Sequence, residues 1–147
     1  MRDDVQKALD FAVAKEVEAE AFYKEWASQV TDPGAKAMFA GLAATENGHA
    51  EMLRRVHPEE IIGKNAGLED AGGLAKYLVD VAPSASMDVQ AAMILAMKRE
   101  ETSVALYERL AEFGGEAQAL LRGLANEERR HRQRLEAEYN DHILTEN

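Results

Sequence analysis

Glu46-Asn47-Gly48-His49 and Glu128-Arg129-Arg130-His131 share one spacing, Glu-x-x-His, and each closes a matched stretch that begins Leu42-Ala43 or Leu124-Ala125. Residues three apart on a helix are neighbours on one face, so each copy can aim a carboxylate oxygen and an imidazole nitrogen at the same point. That is metal-ligand spacing. Two more glutamates, Glu16 and Glu100, interrupt apolar stripes, the first among Val5, Leu9, Ala12 and Trp26, the second among Val89, Met93, Ala96 and Leu110. Four glutamates inside one core carry a severe desolvation cost unless their charge is met. Two divalent cations would meet it, because four carboxylates and two neutral imidazoles balance a total charge of plus four. The alternative is a metal-free core with a protonated, fully hydrogen-bonded carboxyl network. Four oxygen-donor residues and two imidazoles suit iron, or manganese in its place, better than zinc, which prefers closed tetrahedral sites with fewer ligands. Paired ions sit roughly 3.5–4 Å apart, close enough for a carboxylate to bridge them and for dioxygen or peroxide to touch both. Glu46 and Glu128 are the expected bridges, with Glu16 and Glu100 as terminal ligands.

Helices must place these residues, and the composition favours them. Ala, Glu, Leu, Lys and Arg abound, and only 3 prolines and 10 glycines interrupt the chain, so a single all-α domain over residues 1–147 is expected. The apolar periodicity predicts helices at about 4–30, 35–55, 86–112 and 116–141. Asp3 with Gln6 offers a capping box, Thr31-Asp32-Pro33-Gly34 separates the first two helices, Ser86 is a plausible N-cap for the third, and Gly114-Gly115 closes the second tight turn. Residues 56–85 read as a long crossover, broken at His57-Pro58 and irregular apart from one short amphipathic helix marked by Leu74, Tyr77, Leu78 and Val81. Such a length lets the third helix run parallel to the second. The chain is also an internal repeat of two hairpins. Glu16 matches Glu100, Tyr23 matches Tyr107, and Glu46 and His49 match Glu128 and His131; Phe11 with Leu95, Phe22 with Leu106 and Gly41 with Gly123 extend the match beyond the ligand positions.

Other features bound the function. A formal charge of -10 argues against a nucleic-acid partner. Without cysteine there is no disulfide, thiolate site or catalytic thiol. No apolar run approaches the roughly 18 residues of a membrane span, and Met1-Arg2-Asp3-Asp4 lacks a signal peptide's pattern, so no membrane partner and a cytoplasmic location are expected. Tyr23 and Tyr107 stand two turns beyond ligand glutamates, about 10 Å along the axis; they read equally as ordinary aromatic core with the hydroxyl hydrogen-bonded or as groups with either a redox role or a role supporting the ligands. Glu20, matched by Val104, reads as partly exposed, His57 and His142 as solvated, and the tail from Asp141 has no readable role. Phe11, Phe22, Leu95 and Leu106 form a second apolar stripe turned away from the ligands. Since a crossover of limited apolar content should cover only part of it, self-association is expected.

The paired Glu-x6-Tyr and paired Glu-x-x-His, spread over four helices, resemble the ferritin-like di-iron carboxylate proteins and, within them, the erythrin domain of the rubrerythrins. The resemblance implies a ferritin-like four-helix bundle of two tandem hairpins. It implies two Fe ions held by Glu16, Glu46, His49, Glu100, Glu128 and His131, and an oxidoreductase reducing hydrogen peroxide or dioxygen with electrons from an external donor protein. A homodimer fits the same resemblance. A ferroxidase or iron-storage role, or a non-catalytic scaffold, are the other functions such a bundle supports. Ser103 stands where rubrerythrins with a full peroxidase site usually carry a further glutamate, and Ala19 is its mate, which leaves a symmetric six-residue site like that of bacterioferritin. In symmetric members of the family the residue before each Glu-x-x-His glutamate can serve the opposite histidine. This implies Glu127 as the partner of His49 and Thr45 as the partner of His131; the plainer alternative turns Glu127 to solvent beside Arg130.

Overall fold

Nothing in the first 28-residue helix, α1 (Arg2–Gln29), breaks a helical backbone, and it stops only where Val30 leads into Thr31-Asp32-Pro33. Asp32 then caps α2 (Pro33–Arg54), its carboxylate accepting from Ala35 N at 2.9 Å, with Pro33 in the first turn. The computed structural model describes residues 2–63, 73–84 and 86–141. A single turn, α3 (Pro58–Ile61), follows, and then a 3₁₀ turn at Leu74–Tyr77, α4 (Val89–Ala111) and α5 (Gln118–Tyr139). The described residues contain no strand, only an isolated bridge between Ile62 and Gly114.

Three local expectations differ. The cap of α4 is Asp88, which accepts from Ala91 N at 2.8 Å, and not Ser86, because an aspartate directly before the first turn takes the exposed amide. Asp3 lies inside the first turn of α1, where Gln6 Nε2 donates to Asp10 and forms no capping box. The start of the crossover is ordered: His57 N donates to Glu60 Oε1 at 2.9 Å, so α3 forms directly after the His57-Pro58 break. The α4–α5 turn docks on it through Gly115 N to Ile61 O at 3.0 Å and Ala117 N to Glu60 O at 2.7 Å. His57 is exposed, while His142 and the tail after Asp141 lie outside the described residues.

Side-chain pairs fix the direction of each helix. Tyr23 meets Glu100 and Tyr107 meets Glu16, so α1 and α4 are antiparallel across the hairpins. His49 meets Glu127 and His131 meets Glu46, so α2 and α5 are antiparallel too. With short turns making each hairpin antiparallel, α2 runs parallel to α4, as the long crossover permits. Two apolar clusters hold the bundle: Leu9, Leu53, Leu110 and Leu121 at one end, Trp26, Phe39, Met93 and Leu135 at the other. Each such side chain contributes about 1.5–3 kcal/mol on burial. The apolar ends therefore set the helix spacing, and the glutamates and histidines form a polar layer between them.

The crossover covers the second stripe more fully than its apolar content suggests. Leu95 and Leu106 are buried, and Phe11 and Phe22 are half-buried beneath cations, with Lys15 over the Phe11 ring at 5.4 Å and Arg99 over the Phe22 ring at 5.3 Å. Lys15 also pairs with Asp80, and Arg99 Nε donates to Val81 O at 3.0 Å. Amphipathic basic side chains supply the cover that apolar residues of the crossover lack. Among the described residues no helix is long and apolar enough to cross a membrane.

Candidate metal centre

α1 contributes Glu16, α2 Glu46 and His49, α4 Glu100, and α5 Glu128 and His131, each on the stripe that faces the bundle axis. None is more than 8% exposed. They form two donor sets, Glu16-Glu46-His49-Glu128 and Glu46-Glu100-Glu128-His131, in each of which one atom per residue lies within 4.8 Å of the others. Glu46 and Glu128 belong to both sets, the position a bridge must occupy, whereas Glu16 and Glu100 belong to one each. Symmetry extends to the distances. His49 Nδ1 lies 2.7 Å from Glu128 Oε1 and 3.6 Å from Glu16 Oε2, while His131 Nδ1 lies 2.8 Å from Glu46 Oε1 and 3.5 Å from Glu100 Oε1. The two imidazoles stack at 5.8 Å with planes 13° apart.

The donor atoms are what a metal would need and a hydrogen-bonded core would not tolerate. Glu16 Oε2, Glu46 Oε1, His49 Nδ1, Glu100 Oε2, Glu128 Oε1 and His131 Nδ1 are all buried and make no hydrogen bond of acceptable geometry, although His49 Nδ1 and His131 Nδ1 each lie close to a carboxylate oxygen. Buried polar atoms are nearly always bonded, so six orphans converging on one volume fit a cation site. Charge tells the same story. Burial, and then the charge of Glu100, pushes the Glu46 and Glu128 carboxyls well above the usual range. Burial also raises Glu16, but the neighbouring Glu46 and His49 outweigh it and hold this carboxyl below its ordinary value. At His49 burial favours the neutral ring, yet Glu16 and Glu127 prevail and raise its pKa. Cations would take the place of the protons these shifts describe.

Both tyrosines bond across the hairpins. Tyr23 Oη donates to Glu100 Oε1 at 2.6 Å, and Tyr107 Oη donates to Glu16 Oε1. Burial first, and then the charge of Glu100 or Glu16, keeps these phenols protonated far beyond neutral pH. Each therefore occupies one oxygen of a terminal carboxylate and leaves the other, Glu100 Oε2 or Glu16 Oε2, for a metal. The sequence left this role open because the tyrosine–glutamate pairing joins helices whose relative height only packing determines.

The two histidines are supported unequally. Glu127 Oε2 bonds His49 Nε2, which turns Nδ1 toward the donor sets. Thr45 instead donates its hydroxyl to Gly41 O at 3.1 Å, and no hydrogen bond joins it to His131. The implied Thr45–His131 pairing is thus corrected: a threonine in a helix can satisfy its hydroxyl on the carbonyl one turn back. The His131 side chain is 11% exposed, against 1% for His49. Glu20 is half-buried, lies 3.5 Å from Lys24 Nζ and belongs to neither donor set.

An all-helical bundle whose two hairpins each bring carboxylates and an imidazole to one buried layer defines the ferritin-like carboxylate class. A family model described as Rubrerythrin matches residues 7–139, and the chain belongs to the rubrerythrin family. Comparisons with curated proteins and with solved structures returned no match.

Proposed function

We propose that this chain is a dinuclear iron oxidoreductase that reduces hydrogen peroxide or dioxygen with electrons from an external donor protein. The observation that carries the reading is the pair of buried donor sets sharing Glu46 and Glu128, with a partnerless atom on every ligand. Manganese is the other metal such oxygen-rich donors accept. An iron pair held there would supply redox chemistry, each peroxide taking two electrons and two protons to give two waters. The protein does the rest. Tyr23 and Tyr107 fix the terminal carboxylates, Glu127 orients His49, and the two apolar clusters close the layer at both ends of the bundle. The chain has no cysteine, so the donor's redox group is not a thiolate cluster within these residues.

Anaerobic titration with ferrous iron, followed by stopped-flow mixing with peroxide or dioxygen, tests the reading. Two ferrous ions per chain and prompt oxidation are expected; a chain that binds no iron would be left as a ferritin-like scaffold. The six-residue symmetric set, with Ser103 and Ala19 where a further carboxylate could stand, also suits oxidation of ferrous iron for storage. Mass in solution separates the two, since a homodimer, the assembly proposed here, fits the oxidoreductase and a shell of many chains fits storage.

A further inference from the structure

Between the strap at 79–81 and the donor layer lies a cavity of about 30 Å³ that touches both the surface and the ligands. Its inner wall includes Glu46, Glu100 and Glu128, all at most 2% exposed, and its outer wall includes Val79, which is 41% exposed. Both halves of the repeat line the cavity. Ala19 and Ser103, one turn beyond Glu16 and Glu100, are matched positions, as are Lys15 and Arg99, and all four line it. The small side chains leave the gap, because a residue of ordinary size at either position would reach into it. The basic pair fastens the strap above, Lys15 to Asp80 and Arg99 to Val81 O, while Glu18 ties the two cations together at 3.1 and 3.0 Å.

Resting on the oxidoreductase reading, we infer that this cavity is the oxidant port and that it selects small uncharged oxidants with two bonded oxygen atoms and no alkyl group, hydrogen peroxide or dioxygen. A water needs roughly 10–15 Å³, so the cavity holds a pair of bonded oxygen atoms and excludes an alkyl hydroperoxide. Ala19 and Ser103 are specificity-determining residues, and the strap held by Asp80 is the size filter.

Dissolved dioxygen is paramagnetic and broadens the methyl signals it can reach, which tests the port without any metal. In the metal-free protein the Ala96 methyl, on the cavity wall, broadens several-fold more than that of Ala8, which is equally buried but lies in the apolar cluster at one end of the bundle. Ser103→Leu removes the excess; equal broadening of the two methyls in the wild type overturns the port. In iron-loaded protein of unchanged iron stoichiometry, Ser103→Leu, or Ala19→Val should the leucine variant fail to fold, slows oxidation by hydrogen peroxide roughly tenfold or more. An unslowed variant that binds iron normally also overturns it. Asp80→Ala, at an exposed position that does not line the cavity, gains reaction with tert-butyl hydroperoxide, which the wild type excludes. Equal wild-type rates with both peroxides overturn the size filter. A loaded wild type inert to peroxide and dioxygen counts against the proposed reaction alone, since the methyl pattern still decides the port.

Discussion

Glu127 and Thr45 occupy matched positions of the repeat, yet only Glu127 reaches a histidine. A carboxylate on the far nitrogen of a ligand imidazole fixes its tautomer and raises its basicity, and loss of such a partner typically weakens metal binding ~10–100-fold. Glu127→Gln should therefore weaken one of two metal equivalents by about that factor, whereas Thr45→Ala leaves both essentially unchanged. Competition titration with a chelator measures the two variants side by side, and equal losses in both would remove the asymmetry from the account. That six side chains meet in one buried layer was legible in the sequence, because two copies of Glu-x-x-His stand on apolar stripes and Glu16 and Glu100 interrupt the stripes of the other two helices. Thr45 was not legible in that way. Its hydroxyl can satisfy the carbonyl of Gly41 or a neighbour across the bundle, and nothing in the residue types decides between them.

At the scale of elements, the four long helices followed from periodicity and turn residues, while the docking of the α4–α5 turn on α3 did not, since it joins backbones more than fifty residues apart in sequence. Gly115 marks that docking. A Cβ there would stand 2.3 Å from Glu60 O, a contact that only backbone movement relieves. Gly123 offers the contrast, lying exposed in α5 with nothing within 4 Å of the same added atom. Thermal unfolding should separate them: Gly115→Ala lowers stability by about 1–3 kcal/mol as an overpacked site, and Gly123→Ala raises it by about 0.5–1 kcal/mol through lost unfolded-state entropy. If both variants melted alike, the α3 contact would carry no weight in the fold. The cover that Lys15 and Arg99 give to Phe11 and Phe22 escaped sequence reasoning for a related reason, because a cationic residue counts as polar in a periodicity although its stem packs as hydrocarbon. With that stripe occupied, the homodimer proposal rests on family membership and not on an exposed apolar face, and mass in solution tests it.

For the molecule as a whole, the polar layer couples stability to pH and to metal in opposite directions. Glu46 and Glu128 hold their protons in the fold at pH values where the unfolded chain has released them. A carboxyl whose folded pKa is raised stabilises fully below its unfolded pKa, and that contribution is lost as pH climbs through the folded value. His49, raised as well, behaves in the same sense at higher pH, whereas Glu16, held below its ordinary value, adds stability that disappears only in acid. Three of these four groups thus make the metal-free protein weaker as pH rises from about 5 to 8, and the formal charge of -10 at pH 7 adds self-repulsion in the same direction. Metal binding runs the other way, because carboxylates and imidazoles must shed their protons to become ligands, so affinity grows with pH. The melting temperature of the metal-free protein should fall across this range while the increment given by ferrous iron, or by manganese in air, grows across it. Replacing Glu46 and Glu128 together by Gln removes the two strongly raised carboxyls, so the metal-free slope flattens and the metal increment collapses. A double variant that kept both pH dependences would place their origin outside the donor layer.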